Sequence, residues 1–418
     1  MPEYFKSKYI IVTGNKVLEN AAIIVENGKI VDVTDDKGQI LCCAQNDNFV
    51  DFGNAVIMPG FINLHTHLQY TDLVPGILTA TKPPQNDGFG GWAVDLMNQY
   101  SALSEPEKIR SFKNGLKETV LSGCTGVAQL SKEEMFVDML KDSGIKSFVF
   151  LETFANSEEA SIREIKRLKE QINKIRTNSS GNLTVGISPH SIYNVHPVLW
   201  KEIAEFAAEE DILVHTHLGE SQSETDWLNG KPSDIDKIHE FVGWGKFGSY
   251  ETGLNPVEYL EKLGVLSILK ENLIAAHCIR LDNELLEKLV SYGTKLASCP
   301  RSNMILHGKT LDFNNLSDSV LKNTGLGTDG RLSNEDLNIL NEAQFVKENS
   351  SLSFHEIMNL LTINPARILK IADKTGSLEK GKNADFLIFK LNENEDYTES
   401  LNKEIPYKVY SETGYLNL

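Results

Sequence analysis

Five short segments each end an apolar, β-rich run with a residue able to hold or serve a metal ion: FINLHTHL, GISPHS, ILVHTHLGES, LIAAHC and TGLGTDG. His65 and His67 stand two apart, and alternate side chains of a strand share a face, so both imidazoles can reach one ion. A structural zinc site usually closes with four Cys or His ligands. Here three His and an Asp accompany spare acid and base groups, which is the composition of a catalytic centre. In ILVHTHLGES the same alternation puts His215 and His217 on one face, and spacing alone does not choose between them.

Such residues need rigid elements to hold them. From Gly60 to about Asp373, eight β-rich runs alternate with amphipathic helical patterns: FINLHTH, GVAQL, SFVFLETF, LTVGISPH, ILVHTHL, NLIAAHC, KLASCP and TGLGTD. Among the helices, SEPEKIRSFKNGLKETVLSG opens with a capping box of Ser104 and Glu107, and HPVLWKEIAEFAAEE has apolar spacing near 3.6. The pattern predicts a (β/α)₈ barrel of the α/β class, whose sites lie at the C-terminal ends of the strands. His65, His67, His190, His217, His277 and Asp329 all fall there. Before the barrel, YIIV, AAIIV, KIVDV and NAVIM alternate apolar and polar between Gly and Asn turns, and GSLEKGKNADFLIFKL resumes that pattern after it. The two ends are therefore expected to build one small β-sandwich, from residues 1–57 and 374–418, with the barrel, 58–373, inserted between them.

Composition narrows the function. The 58 acidic residues against 41 Lys and Arg give a formal net charge of -17, which argues against nucleic acid or an anionic membrane surface and for a small-molecule substrate. Cys42, Cys43, Cys124, Cys278 and Cys299 are odd in number and lack CxxC spacing, so reduced, packed thiols are expected. No apolar run has the length of a signal peptide or a membrane span, and the expectation is a cytoplasmic protein. A homo-oligomer stays open.

PGFINLHTH, followed in order by HLGE, AAHC and GLGTDG, resembles the metal motifs of the amidohydrolase superfamily across most of the chain. HLGE resembles the HxxE of its mononuclear purine and pyrimidine deaminases. That resemblance implies His217 as the metal ligand beside His65 and His67, and Glu220 as the group that carries a proton to a ring nitrogen. His215 is left one layer deeper, in a structural role. His277 resembles the histidine that holds the attacking water or the developing alkoxide, and Asp329 the aspartate that touches the metal and takes the water's proton. Binuclear members carry a carboxylated lysine on the fourth strand, where LTVGISPH offers none, so one divalent transition metal is implied. Zinc comes first, with iron or manganese as alternatives that three His and an Asp also accept.

Within the superfamily, SPHSIYNVHPVLW, HLGESQSE, NPVEYLEKLGVL, AAHCIRLDNE and CPRSN resemble the cytosine-deaminase-like or chlorohydrolase-like group. GFGGWAVDLM, read as a Gly- and Phe-rich loop followed by a Trp, and CPRSN are most similar to its aminodeoxyfutalosine deaminases. The implied activity is hydrolytic loss of ammonia from an aminopurine nucleoside, 6-amino-6-deoxyfutalosine of menaquinone biosynthesis. Guanine, adenosine-type and other amino-heterocycles, a chlorohydrolase, and a non-catalytic barrel are the alternatives. Trp92 would form a flat wall, and the guanidinium of Arg301 would grip the substrate's carboxylate. Gln69, where futalosine-type members often show Glu, and His190 would touch substrate. Adenosylhomocysteine deaminases carry a Glu before this Trp where the chain has Gly91, which disfavours that substrate. His196, His239, His307 and His355 receive no role.

Overall fold

The structure, a computed structural model, describes residues 1–43, 48–74, 88–178, 181–244, 253–403 and 405–416. Five strands lead in: β1 (Glu3–Thr13), β2 (Lys16–Glu26), β3 (Lys29–Thr34), β4 (Phe49–Asp51) and β5 (Ala55–Pro59). Eight more follow as β6 (Phe61–Thr66), β7 (Cys124–Ser131), β8 (Lys146–Thr153), β9 (Leu183–Pro189), β10 (Val214–Leu218), β11 (Leu273–His277), β12 (Lys295–Ser298) and β13 (Thr324–Leu326). The chain ends with β14 (Phe386–Lys390), β15 (Lys408–Ser411) and β16 (Gly414–Tyr415).

Strands β6 to β13 form one parallel sheet in sequential order, with a helix or helices between successive strands. Such a sheet is buried on both faces, which is why its strands read as almost continuous apolar runs. Closure comes at the C-terminal ends, where the amides of Thr328 and Asp329 donate to the His65 carbonyl at 3.1 and 3.0 Å. Gly327 permits that approach: a Cβ there would lie 2.7 Å from His65 Cβ and 2.8 Å from its backbone nitrogen. The expected capping box holds, with the Ser104 amide donating to Glu107 at 2.8 Å ahead of the helix Glu105–Leu121.

The outer strands form a single mixed sheet in the order β16-β15-β14-β5-β1-β2-β3, with β4 on β1. The two chain ends meet where β5 pairs antiparallel with β14, from Ala55 opposite Lys390 to Pro59 opposite Phe386. Its own core includes Phe5, Ile10, Ile23, Phe386 and Tyr410, with the Phe386 and Tyr410 rings stacked at 4.6 Å. Only Gly60 separates β5 from the first barrel strand.

One local expectation is corrected: GFGGW is not a loop but the first turns of the helix Gly88–Ala102. Gly90 fits there because a Cβ would lie 2.1 Å from the Asp234 carbonyl oxygen, at the start of a neighbouring helix. Cys124, Cys278 and Cys299 are buried free thiols, and the Cys42 and Cys43 side chains lie outside the described residues.

Candidate metal and catalytic site

The ends of β6, β10, β11 and β13 converge on one point. One ring nitrogen each of His65, His67 and His217 lies within 4.8 Å of the others, and all three side chains are buried. His67 Nε2 and His217 Nε2 face each other at 3.4 Å, and Asp329 Oδ1 stands 3.6 Å from His65 Nε2 and 3.8 Å from His67 Nε2. Both His65 nitrogens, His67 Nδ1 and His277 Nε2 are buried without a hydrogen-bond partner. Burial holds His67 at about 4 despite Asp329, and lowers His65 and His217 as well, so these rings are neutral donors at physiological pH. Converging neutral imidazoles beside a carboxylate fit a divalent transition metal.

Three of these groups, His217, Asp329 and His277, are aimed by a second contact. His217 donates from Nδ1 to the His190 carbonyl at 2.8 Å, which turns Nε2 toward the cluster. Asp329 uses its other oxygen, Oδ2, to accept from the hydroxyls of Ser302 at 2.7 Å and Ser333 at 2.8 Å. His277 donates from Nδ1 to Asn303 Oδ1 at 2.8 Å, freeing Nε2 to face Glu220. His277 and Asp329 also have left-handed backbones, with φ of 68° and 61°, a conformation that costs a non-glycine residue about 1 kcal/mol or more. His215 lies deeper, its Nε2 donating to the Leu64 carbonyl at 3.2 Å and its ring against Phe150.

Glu220 is 7% exposed, with Oε1 at 4.0 Å from His277 Nε2 and 3.3 Å from His307 Nε2. Burial alone would raise its pKa, yet His277, His307 and His217 around it hold the carboxyl down to about 2. It is therefore a carboxylate before it meets a substrate. Its backbone amide donates to the Glu224 carboxyl at 3.1 Å.

Above these groups opens a cavity lined by His67, Glu220, His277 and Asp329 on its floor and by Phe89, Trp92, Leu96, Met97, Phe154 and Tyr193 among its walls. Trp92 belongs to that wall, stacked on Phe89 at 5.9 Å. His190 lines it too. Its Nδ1 accepts from Asn194 at 3.2 Å, which leaves the proton on Nε2.

Two expected substrate contacts are corrected. Arg301 does not line the cavity: its guanidinium is gripped by Asp336 at 2.8 and 3.1 Å and by Glu335 at 3.0 Å, so no fork remains for a substrate carboxylate. Gln69 lies behind the wall, where its Nε2 donates to the Leu130 carbonyl at 3.1 Å and its Oε1 accepts from Gln129 at 2.5 Å. Sequence reasoning also missed residues. It read CPRSN as a substrate mark, whereas Ser302 and Asn303 orient Asp329 and His277. His307, left without a role, sits on Glu220. Glu152 and Tyr193 line the cavity, and the strand-end rule that found the histidines would have flagged the first of them. His196 caps the helix Pro197–Glu209, and His239 donates to the Tyr193 carbonyl at 2.9 Å.

The sequence model of the amidohydrolase family matches residues 56–412. The chain belongs to the amidohydrolase family. It is an enzyme of the hydrolase class, and the family is metal-dependent. This amidohydrolase is 26% identical over 414 residues to a 5-methylthioadenosine/S-adenosylhomocysteine deaminase of Bacillus cereus, covering 96% of this chain and 87% of that one. Its fold superposes on Helicobacter pylori aminofutalosine deaminase in complex with methylthio-coformycin, with a TM-score of 0.84 and 22% identity over 99% of this chain and 100% of the other. An adenosine deaminase from Xanthomonas campestris with bound zinc matches with a TM-score of 0.74 and 21% identity, over 99% and 92% of the two chains. Among the described residues of this amidohydrolase, no helix is long and apolar enough to cross a membrane.

Proposed function

We propose that this amidohydrolase is a hydrolytic deaminase of an aminopurine nucleoside, working with one divalent metal, zinc, held by His65, His67, His217 and Asp329. The observation that carries the reading is Glu220, a buried carboxylate facing both the histidine cluster and an aromatic-walled cavity. Attack on the amine-bearing carbon of a purine needs an acid aimed at the adjacent ring nitrogen, and Glu220 stands where such a group is wanted.

A divalent metal at these ligands supplies a Lewis acid that lowers the pKa of a water toward about 7. This chain's own groups divide the remaining work. Asp329, ionised because the histidines around it outweigh its burial, and His277 Nε2 receive the water's proton. Glu220 takes up one of the two protons the water gives up and passes it to the ring nitrogen beside the attacked carbon, which makes that carbon electrophilic, while the other is kept for the leaving amine. The C–N bond then breaks, the amine leaves as ammonia with a proton returned to it, and the product carries oxygen in its place. Trp92 and Phe89 offer flat faces to the purine or to an aryl substituent.

For the finer assignment we propose 6-amino-6-deoxyfutalosine, the substrate class named for the Helicobacter pylori protein. Methylthioadenosine is the second reading. It is favoured by one observation: among the described residues, no Lys or Arg lines the cavity to meet a carboxylate. The test is a mass-spectrometric panel of 6-amino-6-deoxyfutalosine, methylthioadenosine, adenosine, guanine and a chlorinated ring, with metal content measured on the same sample. One metal per chain and ammonia release from the nucleosides are expected. In Glu220→Gln the metal should remain while turnover falls by roughly 10² to 10⁴. Two metals at full activity, or turnover confined to guanine or the chlorinated ring, would refute the reading.

A further inference from the structure

The proposed chemistry leaves one acid in the cavity without work. Glu152 stands near the C-terminal end of β8, two residues before Phe154, so strand alternation turns both side chains to the cavity they line. The residue is 6% exposed, and among the described residues no hydrogen bond or ion pair reaches its carboxyl group. Its oxygens open into the cavity, where a ligand can supply the partners the protein does not. Burial, with Glu133 nearby, pushes the group up to about 8.

The surroundings say what kind of ligand fits. Phe89, Trp92, Leu96 and Met97 offer an apolar and aromatic wall from one helix. Glu152, Glu220 and Asp329 are the cavity's acids, and no Lys or Arg accompanies them among the described lining residues. A ligand suited to this space has a flat apolar part and, toward β8, groups that donate hydrogen bonds. Glu220 and Asp329 are already committed to ring and water. Glu152 is the acceptor left for the rest of the molecule, and in an aminopurine nucleoside the donors besides the amine at the attacked carbon are the sugar hydroxyls.

We propose that Glu152 is the specificity-determining residue that binds the ribose hydroxyls of the substrate, and so selects ribonucleosides over dideoxynucleosides and free bases. This rests on the aminopurine nucleoside reading above. Removing hydroxyl donors from a ligand that meets a buried carboxyl should cost about tenfold or more in affinity.

The experiment uses the metal-loaded enzyme and its E152Q and E152A variants. Calorimetric binding of the product-like inosine, 2′,3′-dideoxyinosine and hypoxanthine is measured beside kcat and KM for adenosine and 2′,3′-dideoxyadenosine. The wild type should prefer inosine over its dideoxy form by at least about tenfold. E152A should erase that preference with metal content unchanged, and E152Q, which keeps one acceptor oxygen, should erase part of it. In turnover the loss should fall on KM, with kcat nearly unchanged. Equal binding of the two nucleosides by the wild type would overturn the proposal, as would an equal loss on all three ligands in E152A. Deamination without ribose discrimination sinks Glu152 and leaves the deaminase standing. Ribose-selective binding that depends on Glu152, with no deamination, does the reverse.

Discussion

Asp329 does two jobs with two oxygens. Oδ1 faces His65 and His67, while Oδ2 is tied to Ser302 and Ser333, so the hydroxyls fix which oxygen faces the histidine cluster and at what angle. Contacts of this kind are worth about 10- to 100-fold in metal affinity. Ser302→Ala should accordingly weaken metal binding by about that factor, read by competition with a coloured chelator, while the circular dichroism spectrum stays unchanged. An unaltered affinity would mean that Ser333 alone orients the carboxylate. Glu220 shows the complementary principle. Its depressed pKa makes it a proton acceptor first, and only the proton it has gained makes it a donor.

Elements hold these residues by contacts that reach from one helix to another. The helix Pro300–His307 carries Ser302, Asn303 and His307 to three separate site residues. That helix is itself anchored by Glu342 of the helix Ile339–Asn349, which accepts from the Arg301 amide at 2.9 Å and from Asn334 at 2.6 Å. Burial raises Glu342 to about 7 against the pull of these donors and of the Arg301 guanidinium. A carboxyl raised in the folded state gives stability that is complete below its unfolded value of about 4.5 and is lost as pH rises through about 7. Glu342→Gln, which does not titrate, should therefore gain on the wild type between pH 5 and pH 8 by up to about 3 kcal/mol. Urea unfolding at the two pH values measures it, and a gap that does not move with pH would contradict the raised pKa.

At the scale of the molecule, the outer sheet is bound to the floor of the barrel, away from the chemistry. Lys146, the first residue of β8, donates to Asp385 Oδ2 at 2.7 Å, and Thr375 donates to the same oxygen at 2.8 Å. Both members of the ion pair are buried, at 8% and 2% exposure, so removing one leaves a charge without its partner in a poor solvent for it. Lys146→Met should cost about 3 to 5 kcal/mol in chemical denaturation. The active site lies at the other end of β8, roughly 20 Å along the strand. Metal content and KM should hold at temperatures where the variant is folded, and a change in either would reveal coupling between the sheet and the site.

The sequence by itself determined which residues stand at the strand ends, because strand alternation and helix capping are local properties legible in a few residues. His65, His67, His217, His277 and Asp329 were found that way or by their resemblance to family motifs, and so were the eight barrel strands. The meeting of both chain ends in one outer sheet was legible as an interrupted β pattern. The partners were not legible. Arg301 looked free until Asp336, 35 residues on, occupied it, and Gln69 looked like a substrate contact until Gln129 and Leu130 satisfied both ends of its amide. His307 had no reading until the fold set it on Glu220, 87 residues earlier. A side chain's type says what it can bond, but only the folded chain decides which distant group reaches it first, and that competition left Glu152 with no partner among the described residues.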